Sequence, residues 1–383
     1  MKQKEQLSDY DTLQSLLSAL ENKNDPAIDL PGTMHQYLER KARAKGVPLH
    51  GTFELTPQCN LNCKMCYVHL NKSQMEGKRL LTVDQWEMLM EQAIHMGMLD
   101  ATFTGGECLT YPGFDELYLY LFSKGVRTTI LTNGLELTED RIRFFCQFPP
   151  KGIQVTLYGS SDDEYEAVTG RRCFETVIGH IRKLAQTKIP FSIAITPNRF
   201  LLSGGEKLVR LANELGFWYT INTNLFRPRT ETGRRNDNID ISDDEYIKLH
   251  LLRRQLKGIQ VAPNSCELPE PAQRRRKQKG LLCSAGNSGF HLRWDGCMQP
   301  CGSFEGIEAD PLKEGFQSAW AKIHAACSEY PLPEECSECA YRNLCPACVM
   351  VHLQGAERGH ASRAVCEKAQ RLVASGLATL GDE

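Results

Sequence analysis

The chain has 383 residues, 45 basic against 47 acidic side chains and a net charge of −2. That length allows one large α/β domain plus a smaller one, and a core of that size needs no disulfide staples. The charge balance excludes a global field that would draw the chain to nucleic acid or an anionic membrane. The opening MKQKEQLSDY lacks the apolar stretch of a secretory signal, and no apolar run approaches the ~18–20 residues of a membrane span. Sixteen cysteines are the anomaly, nine of them between Cys283 and Cys366. Without export, such a chain is expected to hold metal in the reducing cytoplasm rather than to form disulfides.

Residues 1–50 read as an N-terminal helical extension. Leu13, Leu16, Leu17 and Leu20 recur at helical spacing before Asn24, Asp25, Pro26, Pro31 and Gly32 break the pattern. From 51 to about 225, strand-like runs alternate with helical ones. The strands are Thr52–Leu55, Ala101–Thr104, Thr128–Leu131, Ile153–Leu157, Phe191–Ile195 and Trp218–Ile221. Thr82 with Gln85, and Ser203 with Glu206, form capping boxes ahead of apolar faces that close at Gly97 and Gly216. A further helix starts at Thr138, with Glu139 and Asp140 at the positive end of its dipole. Six β–α alternations predict an α/β fold with a parallel sheet, open or curled into a barrel, and function at the C-terminal ends of its strands.

Residues 226–280 read as a linker with one helix, around Asp243–Leu256. It carries Arg227, Arg229, Arg234 and Arg235 and then the run Arg274, Arg275, Arg276, Lys277 and Lys279, a basic run expected to be solvated rather than to receive an acidic peptide or phosphate. Residues 281–383 hold the second cysteine field and a final helix with Ala369, Leu372, Val373 and Leu377.

In the loop after the first strand, Cys59, Cys63 and Cys66 form C-x3-C-x2-C. A zinc site takes four ligands, usually as two separated pairs, and a 4Fe–4S cluster also normally takes four cysteines. Three thiolates on such a cluster leave one iron open to a substrate or cofactor; the zinc alternative would be completed by His69. On these residues the chain resembles the radical S-adenosylmethionine (SAM) superfamily, whose signature is C-x3-C-x-aromatic-C; here Met65 precedes the third cysteine and Tyr67 follows it. The resemblance implies a partial (β/α)6 TIM-like barrel over 51–225 and a SAM-chelating 4Fe–4S cluster on Cys59, Cys63 and Cys66. It also implies cofactor contacts from Tyr67, from Gly105, Gly106 and Glu107 of a GGE motif, and from Asn133, Thr156, Arg171 and Thr196. In that motif the bare glycine backbone would approach the methionyl ammonium and Glu107 would balance its charge.

The later cysteines have their own spacing. Cys283 is followed by twelve residues, Gly296, four residues and Cys301; then come Cys336-x2-Cys339-x5-Cys345-x2-Cys348, and finally Cys366. This resembles the SPASM domain of radical SAM enzymes, against a zinc-ribbon alternative. The resemblance implies one auxiliary 4Fe–4S cluster on Cys336, Cys339, Cys345 and Cys366, and a second on Cys283, Cys301 and Cys348. The fourth position of the second is open between Cys266, Cys297 and an iron that ligates substrate. Cys108, Cys146, Cys173 and Cys327 carry no motif and read as buried structural thiols.

The function implied is reductive cleavage of SAM to a 5′-deoxyadenosyl radical, hydrogen abstraction, and oxidative crosslinking or dehydrogenation of a ribosomal peptide or protein. A flavodoxin- or ferredoxin-type donor would supply electrons. The alternatives are a small-molecule dehydrogenase or cofactor-biosynthesis enzyme, an anaerobic sulfatase maturase, and a zinc-binding interaction protein. Sulfatase maturases generally place an aspartate base directly after the cysteine of G-x4-C, where this chain has Gly302. Asp295 is the remaining candidate base, which a hairpin turn explains equally well. Fifty N-terminal residues are expected to be too few for a separate leader-peptide-binding domain.

Overall fold

A computed structural model describes residues 34–201, 204–222, 225–233, 239–258, 280–281, 283–337, 339, 348, 350 and 360–377. The leucine pattern at 13–20, Ser203, Cys266, Cys345 and the 274–279 basic run lie outside the described residues.

Short β-branched and aromatic runs form the strands β1 His50–Glu54, β2 Asp100–Thr104, β3 Arg127–Thr132, β4 Gly152–Leu157, β5 Phe191–Ile195 and β6 Tyr219–Ile221. Each pairs in parallel with the next, so six consecutive β–α units make a partial TIM-like barrel. The sheet then continues past the linker. β7 Gly289–Leu292 pairs in parallel with β1, His50 opposite Gly289 and Phe53 opposite Leu292. β8 Met298–Gln299 closes an antiparallel hairpin on β7. The strand order is β6-β5-β4-β3-β2-β1-β7-β8.

Among the described residues the helices are α1 Met34–Lys45, α2 Val83–His95, α3 Phe114–Ser123, α4 Glu139–Gln147, α5 Asp162–Thr169, α6 Phe174–Leu184, α7 Gly204–Glu214, α8 Asp243–Leu256, α9 Pro311–Glu314, α10 Phe316–Ser328, α11 Glu334–Ser337 and α12 Arg363–Ala374. Their starts follow local chemistry. Thr82 and Gln85 close the expected capping box on α2, and Thr138 accepts from the Arg141 amide at the head of α4. Ser242 and Glu245 close another on α8. None is long and apolar enough to cross a membrane.

One core runs through barrel and hairpin. The fully buried Phe53 ring meets Trp86, Phe103 and Phe290 edge-on, at centroid distances of 6.0, 6.1 and 5.8 Å. Phe290 in turn meets Phe316 of α10 at 5.1 Å. Burying each such ring stabilises by about 1.5–3 kcal/mol, so the C-terminal cysteine region is fastened to the barrel through its apolar core. Cys146 departs from expectation: it is exposed on α4, whereas Cys108, Cys173 and Cys327 are buried.

Candidate active site at the barrel mouth

A cavity of about 430 Å³ opens at the C-terminal ends of the strands, a volume within the range of small-molecule sites. Glu54 from the end of β1, Thr104 from β2, Thr156 from β4, Thr196 after β5 and Asn222 after β6 reach it. Its other wall is the first cysteine loop: Cys59, Cys63, Met65, Cys66 and Tyr67 all line it.

Backbone bonds fix that loop. The Asn62 and Lys64 amides donate to Thr169 and Val168 carbonyls at the end of α5, at 3.0 and 2.9 Å, and Leu70 donates to Pro57 at 3.1 Å. The glycine pair packs tightly underneath. The Gly106 amide donates to Thr56 O at 2.7 Å, and a Cβ on Gly106 would fall 2.2 Å from Gln58 O. Gly105 has φ +151° and equally little room, 2.4 Å from Thr56 O. Only glycine permits both the backbone angle at Gly105 and the approach of the two loops.

The thiols are prepared for metal. The Leu61 amide (3.4 Å) and Asn133 Nδ2 (3.6 Å) donate to Cys59 Sγ, and the His69 amide donates to Cys66 Sγ at 3.3 Å. Such donors stabilise thiolates on an iron–sulfur cluster and tune its potential. Burial pushes the Cys59 thiol up to about 12. Among the described residues no three His, Cys, Asp or Glu side chains meet closely enough to hold a single ion. Three thiols on one short loop, two of them receiving N–H donors, suit the expected 4Fe–4S cluster.

The remaining expected contacts divide. Tyr67, Gly105, Gly106, Thr156 and Thr196 line the cavity; Thr196 Oγ1 also accepts from Asn222 Nδ2 at 2.8 Å. Asn133 stands behind Cys59, its amide nitrogen on Asn60 Oδ1 at 2.7 Å as well as on the sulfur. Glu107 is buried beneath the site instead of facing it. Its carboxylate accepts from the Leu109 amide (3.2 Å), Thr132 Oγ1 (2.8 Å) and the Asn133 amide (2.8 Å), binding the second strand's loop to the third's. Burial raises that carboxyl to about 7 in spite of the three donors. Arg171 is exposed, within 3.5 Å of the Asn60 carbonyl, and does not line the cavity. Asp295 sits in the β7–β8 turn, where it accepts from the Cys297 amide at 3.2 Å and pairs with Arg293 at 2.8 Å, away from the cavity.

Sequence reasoning missed a buried polar cluster beside these residues. Arg229, which the sequence places in the linker, is 2% exposed. Its guanidinium grips Glu54 with two bonds of 2.8 and 2.7 Å, and donates twice to Gly302 O, at 3.0 and 2.7 Å. Its own amide donates to Tyr67 O at 3.0 Å. His291 Nε2 lies 3.1 Å from Glu54 Oε2. One residue therefore joins β1, the first cysteine loop and the residue after Cys301. The available signal was Glu54 itself, a carboxylate ending an otherwise uncharged strand, which must find a cation if it is buried.

Burial alone would raise the Glu54 carboxyl; Arg229 and His291 outweigh it and hold it at about 2. A depressed carboxyl contributes stability that is complete above its unfolded value near 4.5 and is lost as pH falls through 2. Glu54→Gln is therefore expected to be less stable than the wild type by about 3 kcal/mol near neutrality, with the gap closing between pH 4.5 and 2. Denaturant unfolding at stepped pH measures this; a gap constant with pH would refute the assignment.

The profile of the radical SAM superfamily matches residues 53–198, from β1 to just past β5. Residues 53–198 therefore carry a radical SAM domain. The likeness to curated relatives is longer than that segment. The chain is 25% identical over 318 residues to the sporulation killing factor maturation protein SkfB of Bacillus subtilis, covering 82% of this chain and 72% of that protein. It is 25% identical over 321 residues to the AdoMet-dependent heme synthase of Methanosarcina barkeri, covering 77% and 89%. In fold it resembles SuiB of Streptococcus suis bound to S-adenosylmethionine, with a TM-score of 0.67, 15% identity and coverage of 92% and 88%.

Proposed function

We propose that this radical SAM enzyme is a peptide maturase that oxidatively modifies a ribosomal peptide or protein by crosslinking or dehydrogenation. The observation that carries the reading is the cavity at the strand ends, walled on one side by three metal-ready thiols and floored by the glycine pair. Its lining suits a 4Fe–4S cluster on Cys59, Cys63 and Cys66, with SAM held against Gly105, Gly106, Thr156 and Thr196. When bound, this pair supplies a 5′-deoxyadenosyl radical that removes a hydrogen atom from an unactivated carbon. The chain's own part is position and exclusion of water: Tyr67 and Phe226 close one side of the cavity, ring to ring at 5.9 Å.

The second cysteine group would take the electron left on the substrate. The proposed ligands are Cys336, Cys339, Cys345 and Cys366 for one auxiliary cluster, and Cys283, Cys301 and Cys348 for the other. The domains proposed are a helical extension over 1–50, the barrel over 51–225, a linker over 226–280 and the cluster-binding region over 281–383. A flavodoxin- or ferredoxin-type donor and a reducing, cytoplasmic setting complete the proposal.

Peptide chemistry is supported by the likeness to SkfB, a maturation protein, and to SuiB, whose fold is also known with its precursor peptide SuiA. The likeness to a heme synthase favours a second reading, a small-molecule oxidation in cofactor synthesis. Co-expression with a short cysteine- or glycine-rich open reading frame beside the gene separates the two. Mass spectrometry is expected to find the peptide lighter by two hydrogens; an unmodified peptide would favour the second reading.

A further inference from the structure

We propose that Cys327 is the fourth thiolate of the auxiliary cluster on Cys283, Cys301 and Cys348, and that this cluster is thereby closed to substrate. The proposal rests on reading the second cysteine group as a cluster-binding region, and goes beyond it by naming a ligand that the SPASM spacing does not contain.

The geometry begins with the end of α10, which is wedged between the two turns that carry Cys283 and Cys301. On one side the Leu281 amide donates to Cys327 O at 3.0 Å. Gly286, three residues after Cys283, comes so close that a Cβ there would fall 2.2 Å from Cys327 Sγ. Its φ of +67° also belongs to the region glycine adopts readily. The bare backbone therefore leaves the thiol its place against the Cys283 turn. On the other side, the Tyr330 ring meets Phe304 edge-on at 5.3 Å, and the Phe304 amide donates to Cys301 O at 3.1 Å.

Cys327 is fully buried, and its thiol sits against the backbone of the turn that follows Cys283. Cys297 is only partly buried in the β7–β8 turn, where its thiol donates to the Met298 carbonyl at 3.9 Å. With four cysteines bound, no iron of this cluster is free to anchor a substrate, which leaves it electron transfer.

The test uses the full chain, purified anaerobically, in a background carrying Cys59→Ala, Cys63→Ala and Cys66→Ala so that the first cluster is silent. That background is expected to retain about eight irons per chain, for two auxiliary clusters. Adding Cys327→Ala is expected either to remove about four of them or to leave a cluster whose electron paramagnetic resonance spectrum shifts on adding β-mercaptoethanol at the vacated iron. Cys327→Ser, which keeps the side-chain volume, should change the spectrum with a thermal melt close to the background's. Cys297→Ala should change nothing. Iron content and spectrum identical to the background in both Cys327 variants would overturn the proposal, as would an effect at Cys297 in their place. A background chain holding no iron would overturn the cluster reading instead.

Discussion

Cys59→Ala, Cys63→Ala and Cys66→Ala combined will abolish 5′-deoxyadenosine formation from SAM and remove about four irons per chain, while leaving the fold in place. The loss of chemistry follows from the cavity, whose cysteine wall offers the three thiols expected to hold the cluster. Persistence of the fold follows from what anchors the loop. The bonds from Asn62 to Thr169, Lys64 to Val168 and Leu70 to Pro57 are backbone to backbone, so alanine preserves them. The apolar cost is small because each substitution removes one sulfur from a site built to be filled from outside. Product analysis by liquid chromatography, iron quantitation and circular dichroism check the three parts. Unchanged 5′-deoxyadenosine formation would refute the assigned site.

Arg229→Ala will cost about 3–5 kcal/mol of unfolding free energy, as expected when one partner of a buried ion pair is removed. Glu54, 1% exposed, would be left charged against His291 and the low-dielectric interior. Gly302 O would lose two donors at once. Arg229→Lys should recover part of the loss: the charge returns, but an ammonium cannot span both Glu54 oxygens and Gly302 O as the planar fork does. Denaturant unfolding of the two variants measures the order. A loss below about 1 kcal/mol, the scale of an exposed pair, would show that the bridge is not desolvated.

The barrel was largely legible because its signals are local. Alternating β-branched runs placed all six strands within two residues of their observed ends, and the Thr82–Gln85 box and the Thr138 cap formed as read. Cysteine spacing located the loop at the cavity because three thiols within eight residues can converge without help from the rest of the chain. What stayed hidden depends on distant partners. Glu54 and Arg229 are 175 residues apart in sequence, and a linker arginine carries no local mark of burial. Glu107 was read as facing the cofactor, although the Thr132 and Asn133 donors that turn it inward come from another strand's loop. The pairing of β7 with β1 was equally invisible, since a strand of four residues across an irregular segment reads as part of a separate unit.

That pairing sets a gradient of rigidity across the sheet. β1 is bonded along its length to β2 on one side and β7 on the other, whereas β6, three residues long, is among the described residues an edge bonded only to β5. Local opening costs least at an edge and most at a strand held on both flanks. The backbone amides of β1 should therefore be among the last in the sheet to exchange with solvent, and those of β6 among the first. The loop carrying Cys59, Cys63 and Cys66 thus springs from one of the stiffest parts of the barrel, and the compliant rim lies on the opposite side of the cavity.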